Sequence, residues 1–168
     1  KHSGVPVSAI VDIGVERETR ELIEEFPDLH HYLFEPVSLY RDEIARNYAQ
    51  ISHTLYPVAL SDQTTTLYCV VRALKKDGRP THARLSSAPI TVDGTNIVSC
   101  SEVNVTRFDA IESLKGIEDF LLKVDVDGTE LNVLGGMSDS IQTASVVMIE
   151  ATYLNLPERA TFVASKGF

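Results

Sequence analysis

The chain has 168 residues, and 43% of them are hydrophobic, which is enough to form the core of a single domain spanning residues 1–168. Its 24 acidic and 15 basic residues give a formal net charge of −9 at pH 7, which argues against nucleic acid or an anionic membrane as the partner, because either would need a basic face. No apolar run is long enough for a membrane span or a signal peptide, and two isolated cysteines do not make a zinc ribbon, so we expect a soluble, cytoplasmic protein with no metal.

Strand and helix patterns alternate along the sequence. β-branched or alternating apolar residues predict the strands, and apolar residues at spacings of three and four predict the helices. In chain order, the predicted elements are a strand over 7–13, a helix over 16–26, a strand over 30–36, a helix with Leu39, Ile44 and Tyr48 on one face, a strand over 53–60, an extended piece over 65–71, a strand over 102–108, a short helix over 109–117, a strand over 121–126, a helix after Gly128 and a strand over 145–153. This order predicts an α/β fold with a doubly wound, mainly parallel, Rossmann-like sheet. Phe168 is expected to begin another strand, so that C-terminal strands of the sheet are missing from the sequence.

The alternation stops between residues 72 and 101, where basic, Ser, Pro and Gly residues predict a long loop or an insertion within the domain. The basic residues of this segment are Arg72, Lys75, Lys76, Arg79 and Arg84. They could attract an acidic acceptor molecule, or they could simply keep a loop soluble, and we favour the second interpretation.

The most informative stretch is LLKVDVDGTELNVLGG, residues 121–136. Its apolar strand ends in a cluster of ionisable residues, namely Lys123, Asp125, Asp127 and Glu130, and Gly128 permits a tight turn into a helix. In open α/β sheets the ligand crevice lies outside the carboxyl ends of the strands, so this cluster is a candidate site. The alternative is a solvated loop in which Asp127 or Thr129 caps the helix.

The first two predicted strands also end in acidic groups. Strand one ends in VDIG, with Asp12 and Gly14, and Glu35 follows strand two roughly twenty residues later, the spacing at which a nucleotide-binding sheet presents a carboxylate to ribose hydroxyls. Glu35 could instead only terminate the strand, and Asp12 could be a turn former. No glycine-rich phosphate motif is present, which favours a cofactor without phosphates, and S-adenosylmethionine meets this condition.

Most of the sequence outside residues 72–101 resembles the FkbM-like branch of the class I S-adenosylmethionine-dependent methyltransferases. The resemblance lies in the segments VDIG, HHYLFEP, YPVALSD, EVNVTRFDAI, LLKVDVDGTELNVLGG and VVMIEATY, which follow one another in the family's order. It implies a class I methyltransferase sheet that transfers a methyl group to a hydroxyl of a small molecule or a sugar. A homo-oligomer is compatible with it.

The resemblance also implies roles for individual residues. Asp12 and Gly14 would shape the first cofactor turn, and Glu35 would hold the ribose. Ala59, Leu60 and Ser61, at the end of strand three, would line the adenine. Asp125 would face the methyl donor and is the first candidate for the catalytic base, with Glu150 second and Lys123 as a further ionisable group near the acceptor. Structural alternatives remain for Lys123, as a salt-bridge partner of Asp125 or Glu150, and for Glu130, as a first-turn acid of a helix.

The first loop departs from the family pattern. Gly14 is followed by VERETREL, so the second glycine is absent and the loop is about two residues short, where the side chain of Arg17 or Glu18 would intrude or force another path. The alternative function is therefore a degenerate, non-catalytic module of the same fold that acts in oligomerisation or regulation. A nucleotide-sugar or nicotinamide-binding domain is a third, weaker alternative, because the phosphate-cradling glycines are missing.

Overall fold

The computed structural model describes residues 4–73, 80, 82–93, 96–151 and 155–168. The strands of the described residues are β1 (Ala9–Ile13), β2 (His30–Phe34), β3 (His53–Tyr56), β4 (Ala59–Leu60), β5 (Thr65–Arg72), β6 (His82–Ser86), β7 (Ile97–Thr106), β8 (Phe120–Val124) and β9 (Ala144–Ile149). The α-helices are α1 (Arg20–Glu25), α2 (Arg41–Asn47), α3 (Glu130–Gly135) and α4 (Leu156–Ser165). Among the described residues, none of these helices has the length and apolar character needed to cross a membrane.

The strands form two sheets. The first has five parallel strands in the order β3-β2-β1-β8-β9, and the second has the order β4-β7-β5-β6, with β4 parallel to β7 and the other pairs antiparallel. The chain leaves β1 toward β2 and β3, then returns to pair β8 with the opposite edge of β1. Strand order thus reverses at β1, and in open α/β sheets a crevice forms at the carboxyl ends at such a point. The predicted parallel α/β sheet is confirmed, with a curled mixed sheet added to it.

Apolar residues on both faces explain the central position of β1. All five of its residues are buried, as expected for a strand covered on both sides. Val11 and Ile13 belong to the core cluster that contains Val133 and Leu134 of α3, whereas Ile10 packs with Leu22 of α1 on the other face. The helices therefore cover opposite faces of the sheet and leave its carboxyl edge accessible.

The segment 72–101 is not a loop throughout, because β6 and the first part of β7 lie within it. The apolar residues Ala83 and Leu85 alternate with polar ones in β6 and pack with Cys69 and Val71 of β5 in one core cluster. This short alternation was hidden among basic residues and serines. Lys75, Lys76 and Arg79 lie outside the described residues, and whether the segment is an insertion stays a prediction.

The single strand predicted over 53–60 is wrong. It is divided at Pro57 into β3, in the first sheet, and β4, in the second. Proline has no backbone N–H and cannot continue a strand's hydrogen bonding, so the chain changes sheets there. Ala59 and Leu60 consequently belong to β4 and not to the end of strand three.

Three further predictions need correction. The short helix over 109–117 is replaced by two 3₁₀ turns, Phe108–Ala110 and Glu112–Leu114. Leu39 is 51% exposed in a 3₁₀ turn before α2, whereas Ile44 and Tyr48 are fully buried as predicted. Near the C-terminus α4 forms, and Phe168 follows it without entering a strand.

Candidate functional site

A cavity of about 280 Å³ opens at the carboxyl edge of the parallel sheet. Gly14, Glu35, Asp125 and Glu150, which follow β1, β2, β8 and β9 directly, contribute to its walls. Residues of β4 and β6 close it from the side of the second sheet. The cavity therefore lies at the strand-order reversal, where the fold predicts a ligand crevice.

The floor of this cavity requires a glycine at position 14. Gly14 has a φ of +83°, and a Cβ placed on it would lie 1.8 Å from the backbone oxygen of Asp125. The adjacent strand ends are joined at this level, since the Gly14 N–H donates to the Phe34 oxygen at 3.0 Å and the Asp125 N–H donates to the Ile13 oxygen at 3.0 Å. A side chain at position 14 would separate β1 from β8.

The shortened first loop does not fill the cavity. The Arg17 guanidinium turns aside, lies 4.5 Å above the Tyr40 ring centre, and donates to the Glu43 carboxylate at 3.1 Å and to the Pro80 oxygen at 3.0 Å. Glu18 is exposed, and neither Arg17 nor Glu18 lines the cavity. The intrusion considered for these two residues is absent, and the loop takes another path.

That path depends on residue 16. Glu16 adopts a φ of +55°, in the left-handed region that non-glycine residues rarely occupy. Its N–H donates to the Glu35 Oε2 at 2.8 Å, and Glu16 contributes to the cavity wall. The Glu35 carboxylate thus holds the backbone of Glu16 in this conformation.

Glu35 is the most enclosed carboxylate of the cavity wall. The residue is 5% exposed, and its other oxygen accepts the Val37 N–H at 2.8 Å. Burial raises the pKa of Glu35 to about 8, against the opposing effect of the Val37 hydrogen bond. Each carboxylate oxygen has further lone pairs that could accept a ligand hydroxyl.

The raised pKa predicts that folding stability depends on the Glu35 proton. Between the ordinary pKa of 4.5 and the folded value of about 8, the folded state binds more protons than the unfolded state, so stability falls as pH rises through this window. This decrease in the free energy of unfolding has a slope of up to about 1.4 kcal/mol per pH unit, and we expect the Glu35→Gln variant to lack it. Urea denaturation of both proteins from pH 5 to pH 8 measures it, with the exposed Glu25→Gln variant as control. Parallel pH profiles for wild type and Glu35→Gln would show that Glu35 has an ordinary pKa in the fold.

Asp12 and Lys123 lie beneath the cavity and do not line it. The β1–β8 register places them side by side, with the Lys123 Nζ 3.1 Å from the Asp12 Oδ1. The same Nζ is 3.4 Å from the Gly14 oxygen and 3.6 Å from the Asp125 Oδ2. Asp12 is fully buried, and its Oδ2 has no hydrogen-bond partner. The geometry matches the salt-bridge alternative for Lys123, with Asp12 as an added partner.

Asp125 and Glu150 bring two carboxylates to one side of the cavity. The Glu150 N–H donates to the Val124 oxygen at 2.9 Å, which continues the β8–β9 ladder to the cavity. Partial burial, and then the neighbouring charge and hydrogen bond of Asp125, raise the pKa of Glu150. The charge of Asp125 thus favours the protonated form of Glu150.

Glu130 has a structural position and does not line the cavity. It is fully buried, accepts the Gly128 N–H at 2.9 Å, and forms an ion pair with Arg159 of α4. Arg159 was not among the predicted site residues, because an arginine in a segment without predicted helix structure carries no signal of a buried partner.

Of the residues expected at the adenine, Ala59 and Leu60 line the cavity and Ser61 does not. The Ser61 Oγ donates to the Asp62 carboxylate at 3.0 Å instead. The wall formed by β6 was not predicted. Ala83, Arg84 and Leu85 contribute to it, and the Ala83 N–H donates to the Asp127 Oδ2 at 3.0 Å. The alternation of Ala83 and Leu85 is the signal that could have identified it.

Comparisons with known proteins identify a family by sequence and a similar fold by structure. The family model for the methyltransferase FkbM domain matches residues 12–165. The solved structure of methyltransferase FkbM from Methylobacillus flagellatus KT superposes with a TM-score of 0.61 at 16% sequence identity. The superposition covers 95% of this chain but only 37% of that chain, so the present chain spans little more than a third of that protein. No curated protein matches the sequence.

Proposed function

The chain belongs to the methyltransferase FkbM family, and from that premise we propose that it binds S-adenosylmethionine in the cavity at the carboxyl edge of its sheet and methylates a hydroxyl of a small molecule or sugar. One observation carries the proposal. An open cavity lies at the strand-order reversal, with a glycine of positive φ after β1 and a buried carboxylate after β2. This is the arrangement that nucleoside cofactors use in open α/β sheets.

The residues present fit the parts of this cofactor. Glu35 has oxygens that can accept ribose hydroxyls, and Phe34, Val58 and Leu60 provide apolar wall for a flat base. The absence of a Cβ at Gly14 lets a ligand approach the backbone closely. The acidic side of the cavity favours a positively charged sulfonium over a phosphate.

When bound, the cofactor supplies an electrophilic methyl group on a sulfonium. The task left to the chain is to orient the acceptor hydroxyl and to take its proton. Asp125 is the first candidate for this base and Glu150 the second, because both line the cavity and the two carboxylates interact. Lys123, which does not line the cavity, would act by orienting Asp125 through their 3.6 Å ion pair.

The shortened first loop was the argument for a non-catalytic module. In the described residues Arg17 turns away toward Tyr40 and Glu43, and the cavity beside the loop stays open. This supports cofactor binding over the module, and the third alternative, a nicotinamide or nucleotide-sugar domain, still lacks a phosphate cradle.

Calorimetric titration with S-adenosylmethionine and S-adenosylhomocysteine tests the proposal. Above pH 8, where a Glu35 of pKa about 8 is ionised, we expect micromolar dissociation constants for the wild-type chain and a loss of about 1–3 kcal/mol in the Glu35→Gln variant, because a charge-assisted hydrogen bond to the ribose is weakened. Glu25→Gln, on the exposed surface of α1, should bind like wild type. No heat of binding at millimolar ligand would favour the non-catalytic module, and unchanged affinity in Glu35→Gln would remove Glu35 from the ribose role.

A further inference from the structure

A second cavity, of about 210 Å³, adjoins the proposed cofactor cavity. Four residues line both cavities, namely His82, Ala83, Arg84 and Asp127. Val70 and Arg72 of β5 complete the wall of the second one. A molecule with one end near Asp125 and Glu150 can therefore extend past β6 into this second space.

The antiparallel register explains why two arginines meet there. Val70 lies opposite Arg84, and Arg72 lies opposite His82, so the two arginines are diagonal neighbours across the β5–β6 pair. Successive side chains of a strand point to opposite faces, which is why Ala83 enters the core while Arg84 does not. The local sequence HARLS thus makes one face of β6 apolar and the other basic.

Among the described residues, neither guanidinium group has a carboxylate partner. The Arg72 Nε is buried without a hydrogen-bond partner, and Arg84 is exposed at the rim. Within the described part of the chain, no carboxylate forms an ion pair with either of them, and the nearby Asp127 uses its Oδ2 to accept the Ala83 N–H. A buried donor without a partner is costly, and a planar guanidinium is well suited to bind a carboxylate or phosphate.

We propose that the second cavity is an acceptor subsite in which Arg72 and Arg84 bind an anionic group, a carboxylate or a phosphate, of a hydroxylated small molecule. The inference rests on the proposed methyl transfer, because it names the class of acceptor for the same site. The chain carries a net charge of −9 and its cofactor cavity is lined by carboxylates, so an anion finds little attraction elsewhere in this region. The arginines would place the acceptor with its hydroxyl group toward the acidic pair and its anionic group away from it.

Glucose, glucuronate and glucose 6-phosphate provide a matched test, because they share a hydroxylated ring and differ only at carbon six. We expect at least one of the two anions to bind at least tenfold more tightly than glucose at low ionic strength, as measured by calorimetry. Preference for glucuronate would assign a carboxylate to the subsite, and preference for glucose 6-phosphate would assign a phosphate. Equal binding of all three sugars would overturn the proposal.

Two variants and a control make the test specific. Arg84→Gln and Arg72→Gln should each reduce the preference for the anion at least tenfold, whereas Arg41→Gln, an exposed arginine of α2 that lines neither cavity, should retain it. Because Arg84 is exposed, its variant is expected to fold even if Arg72→Gln does not. An anion preference that survives in Arg84→Gln would contradict the subsite.

Titration of the same proteins with S-adenosylmethionine separates this inference from the proposed function. Cofactor binding without a preference for anions contradicts the subsite alone. A preference for anions without cofactor binding contradicts the proposed methyl transfer, and with it the acceptor role of the subsite.

Discussion

The Gly14→Ala variant is expected to lose about 4 kcal/mol or more of folding stability, together with the affinity for S-adenosylmethionine. The added Cβ would lie 1.8 Å from the Asp125 oxygen and 2.8 Å from its carbonyl carbon. Neither atom can rotate away, because the Asp125 N–H is hydrogen bonded to the Ile13 oxygen. The ends of β1 and β8 would have to separate, and these ends form the floor of the cavity.

Gly116 provides a matched control for this variant. Its φ is +79°, close to the +83° of Gly14, but a Cβ there meets no atom within 4 Å. Gly116→Ala should therefore show the cost of a positive φ alone, about 1 kcal/mol. Urea denaturation of the two variants measures the difference, and calorimetry measures cofactor binding. Equal losses of stability in the two variants would show that the contact with Asp125 does not contribute to the effect of Gly14→Ala.

Replacing Arg159 by methionine is expected to reduce folding stability by about 3–5 kcal/mol, because it leaves the buried Glu130 carboxylate without its ion-pair partner. Both residues are buried, and Arg159 also donates to the Glu150 backbone oxygen. The same change should therefore loosen α4 and the segment that carries Glu150. The measurement is again urea denaturation, with near-ultraviolet circular dichroism as a check on tertiary packing.

A double variant distinguishes the buried charge from lost packing. Glu130→Gln combined with Arg159→Met removes both charges, and we expect it to recover more than half of the stability lost by Arg159→Met alone. Arg20→Met on α1 breaks an exposed pair with Glu24 and should have a much smaller effect, because water already screens that pair. A double variant as unstable as the single one would indicate that Arg159 acts through packing and its bond to Glu150.

The site residues that could be predicted are those whose position follows from the neighbouring sequence. Glu35 after β2 and the acidic groups after β8 follow apolar strands directly, so their position at the carboxyl edge of a parallel sheet follows from the strand pattern itself. The close approach of Gly14 to the Asp125 backbone was not predicted and is a finding of the structure. Their roles toward a cofactor stay predictions.

The parts that could not be predicted depend on contacts between distant segments. Ser61 was expected in the cavity and Arg17 was considered for it, but neither lines it: the Ser61 N–H donates to the Thr106 oxygen of β7, and Arg17 pairs with Glu43. The pairing of Glu130 with Arg159 joins residues that are 29 positions apart. No local pattern distinguishes such a buried ion pair from two exposed charges.

By itself, the sequence determined the α/β class, the alternation of strands and helices and the acidic residues that follow β2 and β8, because hydrophobic periodicity and residue type are local properties. Only the tertiary structure decided that Pro57 divides one predicted strand between two sheets and that a segment expected to be a loop supplies β6 as a cavity wall. It also decided which charges are buried as partners, such as Asp12 with Lys123, and which face the cavity, such as Asp125 and Glu150. The physical reason is that strand pairing and desolvation depend on which distant segments meet, and a linear pattern does not contain that information.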